Sequence, residues 1–236
     1  IPPDMLQALS ELPGTNARRT VDFWAGTALD NGRQIVRLSW VPRPLVSAGA
    51  ARPARVTAVA THGDTRVFEG AVESSGASFP APPGALKVTF TVEDSTKEII
   101  DRDARTIEVP DSSTAALWVT SPALFRSQNV REFRSLDRGP NALPFPGREF
   151  ERTDRLVIRF DVHGTAASTA TVSARIISRW GKDLAELPLL PRPDGVGPYE
   201  IDLPLSSVAR GDYLIAMAAS AGADRARAVV PIRVVR

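Results

Sequence analysis

The chain opens on IPPDMLQALSELPG, where Met5, Leu6, Leu9 and Leu12 recur at helical spacing and Pro13-Gly14 closes the run. The pattern predicts a short helix, with Asp4 as its cap and Gln7 three residues on in the manner of a capping box. So short a helix does not hold in water unaided, and its apolar side is expected to dock on a neighbouring domain. Beyond it the hydrophobic period changes to two. TVDFWAGTAL (20–29) and RQIVRLSWV (33–41) flank Asp30-Asn31-Gly32, and Asn-Gly between alternating runs signals a hairpin because both residues tolerate positive φ. RVTAVAT (55–61) and TRVFEGAV (65–72) flank a second turn, His62-Gly63-Asp64. In ALKVTFTVED (85–94), Leu86, Val88, Phe90 and Val92 share one face, with Lys87, Thr89, Thr91 and Glu93 on the other. EII (98–100) and RTIEV (105–109) follow, and the polar stretch Pro110–Thr114 marks a domain boundary.

The second half repeats the pattern. ALWVTSP (116–122) reads as a strand and NVREFRSL (129–136) as a single short helix. Pro140, Pro144, Pro146 and Gly147 mark an irregular loop. Strands resume with RTDRLVIRFDVHG (152–164), TATVSARIISRW (169–180), LAELPLL (184–190), GPYEIDLPL (197–205), GDYLIAMAAS (211–220) and RARAVVPIRVV (225–235). In residues 155–162, Leu156, Ile158, Phe160 and Val162 point to a core. Arg155, Val157, Arg159 and Asp161 share the other face, read as the solvated side; a basic strip with Arg175 and Arg179 of the next strand is the minor alternative, interrupted by Asp161 and Glu151. Short alternating strands between Gly/Pro/Asp turns predict an all-β chain of two tandem Ig-like or fibronectin-III-like antiparallel β-sandwiches. The expected division is an N-terminal helix over 1–14, a first sandwich over 15–111 and a second over 112–236.

Composition narrows the chemistry. Of 236 residues 43% are hydrophobic, enough for a real core, and a net charge of +2 argues against a dedicated nucleic-acid binder. No cysteine is present, which excludes disulfides, thiolate zinc sites and thiol catalysis. No apolar run reaches the roughly 20 residues of a membrane helix. The chain starts at Ile1 without a basic-then-apolar leader, as expected of a mature product or an excised part of a longer protein.

Candidate chemistry is sparse. His62 and His163 both lie in expected turns, where a structural role outweighs ligation. No G-x-S-x-G elbow or phosphate-cradling glycine loop occurs. Asp101 and Asp103 alternate on one face, but Arg102 and Arg105 dilute them as a calcium site. Arg210-Gly211-Asp212 spells an integrin-binding tripeptide, yet GDY followed by apolar residues reads better as the start of a strand. Trp24, Trp40, Trp118 and Trp180 fall in or at the ends of strands; burial is expected of Trp24 and Trp40, whereas two exposed ones on a sheet would suit a sugar platform. No catalytic, cofactor-binding or metal-binding residue is assigned, and no cofactor is expected.

DFWAGTALDNG with RLSWVP, and REFERTDRLVIRF with YEIDLPLSSVARGDYLIAMAA, resemble the carboxy-terminal region of bacterial VWFA-related proteins of the acidobacterial type. The resemblance runs from about Asp22 to Val235. It implies a β-rich tail that follows a signal peptide and a von Willebrand factor A domain in an exported protein. The A domain's D-x-S-x-S metal motif is absent, since Asp111-Ser112-Ser113-Thr114-Ala115 fails at its last position. No functional residue carries over. The expected role is a non-enzymatic extracytoplasmic structural or interaction module that spaces or presents a partner domain or binds protein, with its own upstream A-type domain as one partner. The alternative is a carbohydrate-binding accessory of a polysaccharide-acting enzyme. Nucleic acid and membrane insertion are not expected.

Overall fold

In the computed structural model, which describes all residues except 15–18, 45–46, 48, 138, 140–141, 193–194, 196 and 236, the Asn31-Gly32 hairpin is formed. Strands β1 (Val21–Asp30) and β2 (Arg33–Pro42) pair over ten positions, from Val21↔Pro42 to Asp30↔Arg33. Asn31 and Gly32 both take positive φ, 48° and 76°, as a type I′ turn requires. The strands β3 (Arg55–His62), β4 (Thr65–Ala71), β5 (Ala77–Phe79), β6 (Gly84–Glu93) and β7 (Ile99–Val109) follow.

These seven strands form two sheets, ordered β1-β2-β5 and β4-β3-β6-β7. In the lettering of the Ig fold the sheets are A-B-E and C′-C-F-G. The fourth strand stays beside the third, which is the fibronectin-III variant of the sandwich. Leu86, Val88, Phe90 and Val92 are all fully buried, as their alternation predicts. Two stacked ring pairs bridge the sheets, Phe23 on Phe90 with centroids 4.1 Å apart and Phe68 on Phe79 at 4.5 Å. The two short strands expected at 98–100 and 105–109 are one strand, β7. Its central charges are held from the side: Asp101 accepts from Thr20 N at 2.9 Å, and Asp103 accepts from Arg19 at 2.8 Å and Arg105 Nε at 3.0 Å.

The second half builds its own sandwich from β8 (Trp118–Val119), β9 (Ala123–Ser127), α2 (Val130–Ser135), β10 (Glu149–Phe150), β11 (Arg155–Phe160), β12 (Val162–His163), β13 (Thr171–Ser178), β14 (Asp183–Leu187), β15 (Tyr199–Pro204), β16 (Gly211–Ala221) and β17 (Asp224–Val234). One sheet is ordered β15-β11-β9, the other β10-β17-β16-β13-β14, and β8 pairs with β12. The lettering is again E-B-A against G-F-C-C′. The first strand is split, however: β9 lies in the A-B-E sheet and β10 runs parallel to β17. Tyr213 near the start of β16 donates its hydroxyl to Ala209 O at 3.0 Å, the tyrosine corner of Ig-like sandwiches. The strand expected over 116–122 shrinks to Trp118–Val119. The main first strand is β9, missed because its positions are buried on both sides and show no alternation.

The chain divides into a unit of Thr15–Ser112 with Phe145–Gly147, and a unit of Ile1–Gly14, Ser113–Pro144 and Arg148–Arg236. Relative to the serial division into 1–14, 15–111 and 112–236, the N-terminal helix belongs with the second sandwich, and Phe145–Gly147 goes with the first. Of the expected loop markers, Pro140 lies outside the described residues.

The N-terminal helix α1 (Pro3–Ser10) is capped differently from the expectation. Pro2 is the N-cap, Pro3 occupies the first turn, where a missing N–H is harmless, and Asp4 makes no capping bond. Asp4 instead pairs with Arg227 at 3.5 Å. Met5 and Ala8 are buried against Ile177, Leu214 and Ala216, with Leu9 and Val229 alongside, on the outer face of β13, β16 and β17. Leu6, expected on the docked side, is 53% exposed; the small Ala8 takes its place because the contact stripe runs through Met5, Ala8 and Leu9.

Candidate functional site: a groove beside α2

The face of β11 read as solvated is covered. Leu156, Ile158 and Phe160 fill the core as expected, but Val157 on the opposite side is only 1% exposed. It packs with Phe125 and Ala142 in a second cluster, to which α2 contributes Phe133 and the following Leu136. The arginines either side of Val157 are consumed locally. Arg155 makes a two-point pair with Asp202, its Nε 2.7 Å from Oδ1, and its guanidinium lies 4.0 Å over the Phe133 ring. Arg159 pairs with Glu200 at 2.8 Å and lies 5.1 Å from the Phe125 ring. Both acceptors come from β15, in register opposite β11. Arg175 and Arg179 do not join this face: β13 lies in the other sheet, where Arg175 meets Asp183 and Arg179 meets Asp212. No basic strip is therefore assembled across these strands.

Local sequence fixes α2. Asn129 Oδ1 accepts from Glu132 N at 2.9 Å, and Glu132 reaches back to Gln128 N at 2.7 Å and to Asn129 Nδ2 at 2.9 Å. This reciprocal cap sets where the helix starts. With the start fixed, Phe133 turns onto the sheet while Val130 stays 64% exposed.

Between this helix start, the 152–155 turn and the end of β15 lies a groove of about 470 Å3. Val130, Phe133 and Pro204 supply apolar wall; Arg152, Asp154 and Ser206 supply polar groups. Asp154 is 2% exposed. Its Oδ2 accepts from Glu151 N at 2.9 Å, and its backbone is tied to Glu151 O and Leu205 N. Its Oδ1 is buried with no hydrogen-bond partner. Burial raises its pKa above the usual carboxylate value, against the Glu151 N bond and the Arg126 charge that lower it. In the sequence Asp154 lies within RTDRLVIRFDVHG (152–164), with no role assigned to it. The available signal was an acid two residues before an apolar run, which reads as an ordinary turn residue.

None of the other singled-out residues lines this groove. Asp101 and Asp103 are neutralised by Arg19 and Arg105. Asp212 of the Arg-Gly-Asp tripeptide is held by Arg233 at 2.7 Å. His62 ends β3 opposite Leu86. His163, in β12, lies 4.8 Å from the Trp118 ring, and burial lowers its pKa against the pull of Asp161. Among the described residues no three His, Cys, Asp or Glu side chains converge as metal ligands. Trp24 and Trp118 are buried, and Trp40 donates its indole N–H to Val72 O at 2.7 Å. Trp180 stands 73% exposed, so the described tryptophans form no paired platform. No helix among the described residues is long and apolar enough to cross a membrane.

No protein-family model and no curated protein matches this chain. Among solved structures it aligns with fibronectin(III)-like modules of CbhA from Clostridium thermocellum, at 14% identity and a TM-score of 0.29, over 91% of this chain and 93% of that one. The chain is an all-β protein of two Ig-like, fibronectin-III-like sandwiches, and that assignment rests on the strand order and register described above.

Proposed function

We propose that the chain is a non-enzymatic interaction module, an exported β-rich tail of the VWFA-related type that spaces or presents a partner domain and binds protein through its second sandwich. The observation that carries the reading is the groove beside α2, an apolar-walled concavity with one unmet buried acceptor. Mostly apolar lining with a few fixed polar groups is what a short peptide segment needs. In the same sandwich, charged side chains hold strands together: Arg155 with Asp202, Arg159 with Glu200, Arg233 with Asp212. An acid or base already tied into such a pair is poorly placed to move a proton on a substrate. The extracytoplasmic placement rests on the sequence resemblance, as does an upstream A-type domain as partner.

Selection of displayed random peptides on the intact chain tests this reading. The expected result is one enriched peptide family whose amide-shift footprint falls on the second sandwich. Affinity electrophoresis through xylan and β-glucan gels is the counter-test. Retardation abolished by Trp180→Ala, with no enriched peptide family, would replace protein binding with carbohydrate binding.

A further inference from the structure

We propose that the groove beside α2 takes a lysine side chain, or another primary ammonium, from an extended segment of a partner protein, with the buried Asp154 carboxylate as counter-ion. This deepens the protein-interaction reading and rests on it. Among the described acids of this sandwich, Asp154 alone has a buried carboxylate oxygen without a hydrogen-bond partner. Asp202, Glu200 and Asp212 are each satisfied by an arginine, whereas Asp154 is 2% exposed and keeps one oxygen without a partner. A buried acceptor left unmet is costly, and native folds retain such groups where a ligand or bound water completes them.

The two arginines on the groove are engaged elsewhere: Arg155 is forked onto Asp202, and Arg152 donates to Ser206 O at 2.6 Å. Arg126 acts on the Asp154 carboxyl more strongly than Glu151 and Glu132 do, and Arg126 does not line the groove. The oxygen is closed off from solvent, and Asp154 lines the groove together with the exposed Val130 and Arg152. A compact ammonium on an aliphatic stem suits a closed-off oxygen better than a planar guanidinium does. Val130, Phe133 and Pro204 then cover the stem and the neighbouring residue of the partner.

The probe is the peptide acetyl-Leu-Lys-Leu-amide, titrated into the intact chain by calorimetry and amide-shift mapping beside its Nε-acetyl-lysine counterpart. We expect binding of about millimolar strength centred on Val130, Phe133 and Asp154, about tenfold or more weaker for the acetylated peptide. Asp154→Asn and Val130→Lys should each weaken the lysine peptide by about tenfold or more. Val130 is an exposed helix position, so its variant keeps the test valid if Asp154→Asn fails to fold. Equal binding of the two peptides, no binding of either at ~20 mM, or unchanged affinity in Val130→Lys would overturn the inference. Displayed peptides that select well but lack lysine, or map elsewhere, would sink this inference while leaving the interaction reading intact.

Discussion

The two sandwiches share a strand order but treat their outer faces in opposite ways. In the first, the outer positions of β3 and β6 pair Thr57 with Thr91, Val59 with Thr89 and Thr61 with Lys87. Threonine satisfies both the pleat and water, and the face needs no cover. In the second, the corresponding face pairs Ile177 with Leu214 and Ala216 with Val229, and α1 lies on it. The same contrast holds between the first and second strands of each sandwich. A two-residue turn joins β1 to β2, whereas β9 and β11 are separated by α2, an irregular stretch and β10. That longer connection covers Val157 and creates the groove. Strand order is common to both units; the candidate site comes from what one of them adds to it.

The largest test of the contrast is a charge placed on each outer face. Leu214→Asp should destabilise the chain by about 3 kcal/mol or more, because it buries a carboxylate under α1. Thr89→Asp on the first sandwich should stay within about 0.5 kcal/mol. Equal denaturant midpoints for the two variants would show that α1 is not a structural part of the second sandwich. Met5→Ala removes the deepest side chain of that contact, and a loss of about 2 kcal/mol is expected, with faster amide exchange along β16. If exchange there is unchanged, the docking of α1 contributes little.

Gly32→Val probes the hairpin that the second sandwich lacks. A Cβ added at Gly32 would meet nothing within 4 Å, so the penalty is expected to come from its φ of 76°. About 1–2 kcal/mol is expected for a β-branched residue held in that region. Tyr213→Phe removes the corner bond to Ala209 O and should cost about 1 kcal/mol. In the first sandwich the third residue of β6, Leu86, takes the place of that tyrosine and has no hydroxyl to lose, so Leu86→Met there should cost less than about 1.5 kcal/mol.

The smallest effect is a pH slope. The folded pKa of His163 is lowered from 6.5 by burial, so the unfolded chain binds the extra proton first. Its contribution to stability is complete above 6.5 and is lost as pH falls through the depressed folded value. His163→Gln should therefore flatten the stability profile on the acid side of 6.5 relative to the parent. Parallel profiles for the two chains would mean that His163 titrates as it does in the unfolded state.

Local chemistry decided much of this molecule before any packing. The Asn31-Gly32 turn, the alternation of β6, the Asn129/Glu132 cap of α2 and the tyrosine at the start of β16 each depend on residues close together in the chain, so each could be read from it. The sandwich class followed from the number and spacing of the strands. Which outer faces are wet did not. Val157 between two arginines looks solvated until α2 is placed over it, and Leu6 looks docked until the contact stripe of α1 is known. Asp154 is an ordinary turn acid in sequence; only the convergence of α2, the 152–155 turn and the end of β15 buries it and leaves an oxygen unmet. Burial is a property of what arrives from far along the chain, and a period of two records only that a strand has two sides.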